Sequence, residues 1–183
     1  MARTGYVMIL GLFLLLGGCN QTPTQPAAEK AMFGAVSFRI HPTFTQFKDW
    51  NGDGKPDGIE AILEFQDQFG DPTRATGKVR FELYTFESIY PDHRGYRVAI
   101  WAASLNDKED QVSRWDPAAR GYTFQLAYDK IDPKHSYVLT AQVDRGGSRL
   151  FDQLVVEPPP SKSNLHSDRH TQHAPTNAPG HSY

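Results

Sequence analysis

Between residues 34 and 157 apolar side chains recur at every second position. Val36, Phe38 and Ile40 alternate with Ser37 and Arg39, and Val79, Phe81 and Leu83 alternate with Lys78, Arg80 and Glu82. Tyr122, Phe124, Leu126 and Tyr128 continue the pattern, as do Tyr137, Leu139, Ala141 and Val143. Successive side chains of an extended strand point to opposite faces, so this period buries one face and wets the other. A helix would scatter the same residues around its circumference. The chain is thereby restricted to strands laid against a shared core.

Other segments add to the count. Tyr96 to Ala103 is apolar on both phases apart from Arg97, the pattern of a central strand covered on both sides. Arg145-Gly146-Gly147-Ser148 predicts a hairpin into Arg149 through Val156. Asp71-Pro72, Asp116-Pro117 and Asp132-Pro133 break the remainder, each proline disfavouring helix at the residue before it. From Ile59 to Gln66 seven of eight residues fit strand alternation, whereas a helix would leave Phe65 on its wet side. The sum is seven or eight strands and no long helix. The expected fold class is all-β, a single antiparallel β-sandwich of immunoglobulin-like or related kind. Asp67-Gln68-Phe69-Gly70-Asp71-Pro72, with Gly77 further on, resembles a turn found in many bacterial immunoglobulin-like and prealbumin-like sandwich modules. The likeness supports the architecture and implies no activity.

The two ends of the chain have other compositions. Arg3 precedes an apolar run from Val7 to Leu16, about half the twenty residues a membrane-spanning helix needs. That is signal-peptide length. Leu16-Gly17-Gly18-Cys19 follows, and it is similar to the lipobox of bacterial lipoproteins. The resemblance implies a signal peptide over 1–18, diacylglyceryl thioether attachment and N-acylation at Cys19, and anchorage in a membrane of the bacterial envelope. Asn20 in place of Asp points to the outer membrane under the sorting rule of some lipoproteins. Several acyl chains, each contributing about 0.8 kcal/mol per buried CH₂, anchor far more firmly than one. Residues 19–33 then read as the lipidated cysteine and a tether, 34–157 as the sandwich domain, and 158–183 as a disordered tail rich in Pro, His and Ser.

A formal net charge of −2 supplies no basic footprint for nucleic acid. The single cysteine excludes an intramolecular disulfide. Charge is nevertheless uneven. From 49 to 71 seven acids (Asp49, Asp53, Asp57, Glu60, Glu64, Asp67 and Asp71) stand against Lys55 alone.

The sequence from Asp49 to Glu60 fits D-x-[DN]-x-[DN]-G-x₅-E at every specified position. It resembles the calcium loops of EF-hands, dockerins and thrombospondin type 3 modules. The resemblance implies side-chain ligation by Asp49, Asn51 and Asp53, a carbonyl ligand from Lys55, a direct or water-mediated one from Asp57, and a closing carboxylate from Glu60. Ca²⁺ wants six to eight oxygens, and an all-oxygen set suits hard cations. Pro56 departs from the EF-hand pattern, because it lacks the N–H through which two such loops pair. The competing reading is a solvated turn, its Asn, Asp and Gly chosen for positive φ and side-chain-to-backbone bonds.

Weaker signals add little. His166, His170, His173 and His181 crowd the tail with nothing to preorganise them around a metal, and Asp92-His93-Arg94 and Asp107 to Asp110 read as solvated loops. Trp50, Trp101 and Trp115 offer either core packing or a sugar-stacking platform. No Gly-x-Ser-x-Gly, His-Glu-x-x-His, Ser-x-x-Lys or phosphate-loop pattern occurs, so no catalytic residue is assigned. The expectation is a lipid-anchored envelope protein with a Ca²⁺-stabilised binding or structural module. Carbohydrate or peptide binding is the alternative, with an envelope protein or glycan as partner, and a hydrolytic lipoprotein ranks last.

Overall fold

A computed structural model of the chain describes residues 32–159. Its elements are β1 (Ser37–Ile40), β2 (Gln46–Lys48), β3 (Gly58–Gln66), β4 (Pro72–Thr73), β5 (Lys78–Phe86), β6 (Arg94–Ser104), α1 (Lys108–Arg114), β7 (Trp115–Asp116), β8 (Gly121–Ala127), β9 (Tyr137–Asp144) and β10 (Arg149–Val156). Two antiparallel sheets result. In the first, β1, β2 and β4 all pair with β3, which pairs with β8 and through it reaches β7. In the second the order is β10-β9-β5-β6.

The period-two pattern explains the packing of these sheets. Ile59, Ala61, Leu63 and Phe65 on β3 and Tyr122, Phe124 and Leu126 on β8 turn inward and are buried. They meet Val79, Phe81 and Leu83 of β5 and Leu139, Ala141 and Val143 of β9. Phe81 and Phe124 cross the interface with ring centroids 4.9 Å apart. Phe65 packs between Phe38 and Tyr122 at 5.5 and 5.8 Å. The segment from Ile59 is therefore a strand, since only that geometry puts Phe65 and Leu63 on the same side as Ile59.

The outward face of β3 is also covered. Glu64 is almost fully buried there, which is tolerable because Arg39 on β1 donates to it from Nε at 3.1 Å and Nη2 at 2.8 Å. Burial alone would raise the Glu64 pKa, but the bonds from Arg39 and Gln66 outweigh it and hold the carboxyl below its usual range. On the edge strand β10, Asp152 accepts the Ile40 N–H at 2.7 Å and so ties that edge to β1 of the other sheet.

Two sequence readings are corrected. Tyr96 to Ala103 is not a central strand: β6 lies at an edge of its sheet, with β5 its ladder partner. Val98, Ala99, Trp101 and Ala103 pack on the core, while Tyr96 and Ile100 are exposed. Apolar residues on both phases here reflect a solvent-facing apolar surface. Asp107 to Asp110 is not a loop but the start of α1. Asp107 caps the helix by accepting the Asp110 N–H, Glu109 and Asp110 occupy the first turn, and Arg114 stands in the last. Gln111 pins the helix through its amide to the carbonyls of Ala75 and Leu105 at 2.7 and 2.6 Å.

Strand register defines two ends. Ser37, Gln66, Lys78, Ser104, Asp144 and Arg149 lie together at the proximal end, where the chain arrives from residue 32. Lys48, Gly58 and Ala127 of one sheet and Phe86, Arg94, Tyr137 and Val156 of the other form the distal end. At about 3.3 Å per residue, the run from Gly58 to Gln66 separates the ends by about 26 Å.

Candidate functional site

The acidic loop leaves β2 at Lys48 and returns at Gly58, on the distal end. Its base is stapled to both neighbours. The Asp57 N–H donates to the Lys48 carbonyl and the Tyr128 N–H donates to the Asp57 carbonyl, each at 2.8 Å. Within the loop, acidic side chains hold the backbone. Asp49 accepts the N–H groups of Gly52 and Gly54, one on each carboxylate oxygen, both at 2.7 Å. Asn51 accepts from Asp53 N–H, and Asp53 from Lys55 N–H, both at 2.8 Å. Asp57 accepts the N–H groups of Trp50 and Asn51 at 2.7 and 3.1 Å and the Asn51 amide at 2.8 Å. Gly52 and Gly54 sit at φ +79° and +86°, a left-handed conformation that side-chain-bearing residues rarely adopt.

These bonds have an electrostatic consequence at Asp49. The Gly54 N–H, helped by those of Gly52, Asp53 and Asn51, holds its carboxyl below the usual carboxylate range despite the opposing effect of burial. A depressed native pKa contributes stability that is present above the unfolded value and lost as pH falls through the native one. Asp49→Asn is therefore expected to narrow the difference in urea midpoint between about pH 6 and about pH 2.5 relative to the unaltered chain. An unchanged difference would remove Asp49 from the acid-sensitive groups.

Glu60 stands apart from the loop. It lies on the outward face of β3, where Lys48 Nζ approaches Oε1 at 3.2 Å. Lys55 is exposed, and its N–H is held by Asp53. Among the described residues no three Asp, Glu, His or Cys side chains converge closely enough to hold a metal ion. The structure thus gathers Asp49, Asn51, Asp53 and Asp57 into one hydrogen-bonded loop without drawing the three carboxylates to a common point. Cys19 and the four tail histidines lie outside the described residues. Among the described residues no helix is long and apolar enough to cross a membrane.

Trp50 is half-buried beside Gly58. Its indole N–H is shut from solvent without a hydrogen-bond partner. Trp101 and Trp115 pack against the core, Trp101 donating to the Ala127 carbonyl at 3.1 Å and Trp115 meeting Tyr122 edge-on at 5.2 Å. A second charged constellation went unnoticed in the sequence. Asp132 accepts the Lys134 N–H at 2.9 Å and meets His135 Nδ1 at 2.8 Å. The Lys134 N–H and, secondarily, His135 hold its carboxyl below the usual range. The Asp-Pro turn at 132 is the signal that could have located it, since Asp there caps its own turn. No protein-family model matches the chain, and no curated protein or solved structure matches it either.

Proposed function

We propose that the chain is a lipid-anchored protein of the bacterial envelope, held by acyl chains on Cys19, whose β-sandwich serves as a binding or structural module with a Ca²⁺-responsive loop. The observation that carries this reading is the polarity of the sandwich. The chain arrives at the proximal end, and the acidic loop lies about 26 Å away at the distal end. An anchor upstream of residue 32 therefore joins the sandwich at the end opposite the loop.

Support for Ca²⁺ comes from the donor set. A carboxylate offers about four acceptor positions; Asp49 uses two on loop N–H groups and Asp53 uses one. Both keep lone pairs for a cation. Ligation by Asp49, Asn51, Asp53, Asp57 and the Lys55 carbonyl requires the exposed tip to close while the stapled base stays fixed. Glu60 joins only if Lys48 releases it.

A cation bound to the folded form alone raises stability by linkage, about 2.7 kcal/mol when free Ca²⁺ is a hundred times Kd. Thermal unfolding in millimolar Ca²⁺ is expected to lie several degrees above that in chelator. Asp53→Ala is expected to abolish the difference with little effect in chelator, because among the described residues the Asp53 side chain bonds only the Lys55 N–H. Coincident curves for the unaltered chain would leave the loop a self-satisfied turn.

A second reading for the module, capture of an extended peptide, is favoured over a glycan by β6. Its outer ladder edge is unpaired among the described residues, with Tyr96 and Ile100 exposed beside it.

A further inference from the structure

At the proximal end four large apolar side chains are exposed. Met32, Phe33, Val36 and Phe69 are 47, 52, 51 and 61% exposed, in the segment leading into β1 and in the turn between β3 and β4. Phe33 and Phe69 touch, with ring centroids 6.1 Å apart. The cluster is held rather than trailing. Thr73 donates to the Phe33 carbonyl at 3.2 Å, and the Val36 N–H donates to the Gln66 carbonyl at 2.8 Å. The turn that projects Phe69 is locked from below, the nearly buried Asp67 carboxylate accepting the N–H groups of Phe69 and Asp71.

We propose that this cluster rests in the headgroup region of the membrane to which the chain is anchored, seating the sandwich upright with its acidic loop outward. The proposal rests on the lipid-anchor reading of Cys19. Twelve residues separate Cys19 from Met32, so even a fully extended connection spans no more than about 45 Å. The patch is thereby confined to a thin layer over the bilayer, at an effective concentration in the millimolar range. An apolar contact too weak to hold a free protein is sufficient there. Apolar aromatic and aliphatic side chains projecting from a domain end can enter the boundary between headgroups and acyl chains. Charges of both signs lie at this end, Lys78, Arg145 and Arg149 with Asp71 and Asp144.

Bromolipid quenching of tryptophan provides the test. The lipidated chain is placed in vesicles of phosphatidylethanolamine and phosphatidylglycerol with brominated acyl chains, carrying either Phe69→Trp or Ile89→Trp. Ile89 is exposed in the turn between β5 and β6 at the distal end, and Trp50, Trp101 and Trp115 are a shared background. Added quenching at least twofold greater at position 69 than at 89 is expected, falling to the level at 89 when Phe33→Ser and Val36→Ser are combined with it. Equal quenching at both positions, whether low or high, overturns the proposal. So does concentration-dependent dimerisation that the serine variant abolishes, since a second copy would then cover the patch. Mass spectrometry of the same sample reports lipidation separately. If Cys19 is unmodified, the anchor reading fails, and the chain beginning at Cys19 is coupled through its only thiol to a maleimide lipid before the same comparison.

Discussion

Phe81→Ala is expected to lower the free energy of unfolding by about 4 kcal/mol, within the 3–5 kcal/mol typical of a large aromatic removed from a core. Phe81 is fully buried at the middle of β5, with Ala141 and Trp101 as its ladder neighbours and Phe124 facing it from the other sheet. Strands on both sides fix the backbone, so the space left cannot collapse easily. Against a total stability of about 5–15 kcal/mol the loss is a large fraction. Urea unfolding followed by far-ultraviolet circular dichroism would show it as a midpoint lowered by about 2 M, given a slope of about 2 kcal/mol/M. Phe151→Ala on the exposed face of β10 is the control, with an expected change within about 0.5 kcal/mol. Equal effects from the two substitutions would contradict the face-to-face packing of the sheets.

Gly58→Ala is expected to be nearly as damaging, although it adds a single methyl group. A Cβ at this position would stand 2.2 Å from the Leu126 carbonyl oxygen, 2.9 Å from the Ala127 Cα and 2.9 Å from Cη2 of Trp50. The first two are backbone atoms of the paired strand, so no side-chain rotation relieves them. Either β3 and β8 separate at this point or the strand end shifts, and the neighbouring bond from Tyr128 N–H to the Asp57 carbonyl is strained with it. The cost is about 3 kcal/mol, the upper part of the range for overpacking. For a domain of this size that is roughly a 10 °C fall in melting temperature. Gly146→Ala, at φ +72° in open space, meets no atom within 4 Å and is expected to cost about 1–2 kcal/mol from backbone conformation alone. A smaller effect at Gly58 than at Gly146 would mean that the loop base is looser than the structure shows.

The alternation at Val79–Leu83, Tyr122–Leu126 and Leu139–Val143 was readable because one face of each strand meets a single core. Where a residue's surroundings depend on pairing, reading failed. The composition of β6 is that of a central strand, yet its place at an edge follows from which strand lies beside β5, and that is a long-range choice. The helix α1 has seven residues and no buried face, so hydrophobic periodicity could not reveal it; the Asp107 cap and the acidic first turn were its only signals. In the acidic loop the spacing of Asp49, Asn51, Asp53 and Asp57 was visible as a template. What each carboxylate touches was not, because hydrogen bonds to local N–H groups and ligation of a cation draw on the same residue types. Glu60 shows the difference most clearly. Twelve-residue spacing assigns it to the loop, while strand parity turns it to the outer face of β3 toward Lys48. Asp152 had no sequence signal, its partner Ile40 lying 112 positions away.

Anchorage decides what the remaining features mean, because the polarity of the sandwich matters only if the proximal end is tied to a membrane. Intact-mass and N-terminal peptide analysis of the chain purified from a bacterial envelope tests it most directly. The expected result is a protein beginning at Cys19, heavier than the 19–183 polypeptide by a diacylglyceryl group and an N-linked acyl chain, with Cys19→Ser yielding no lipid-modified species. A protein that retains residues 1–18, or begins at another position with a free Cys19 thiol, would contradict the account.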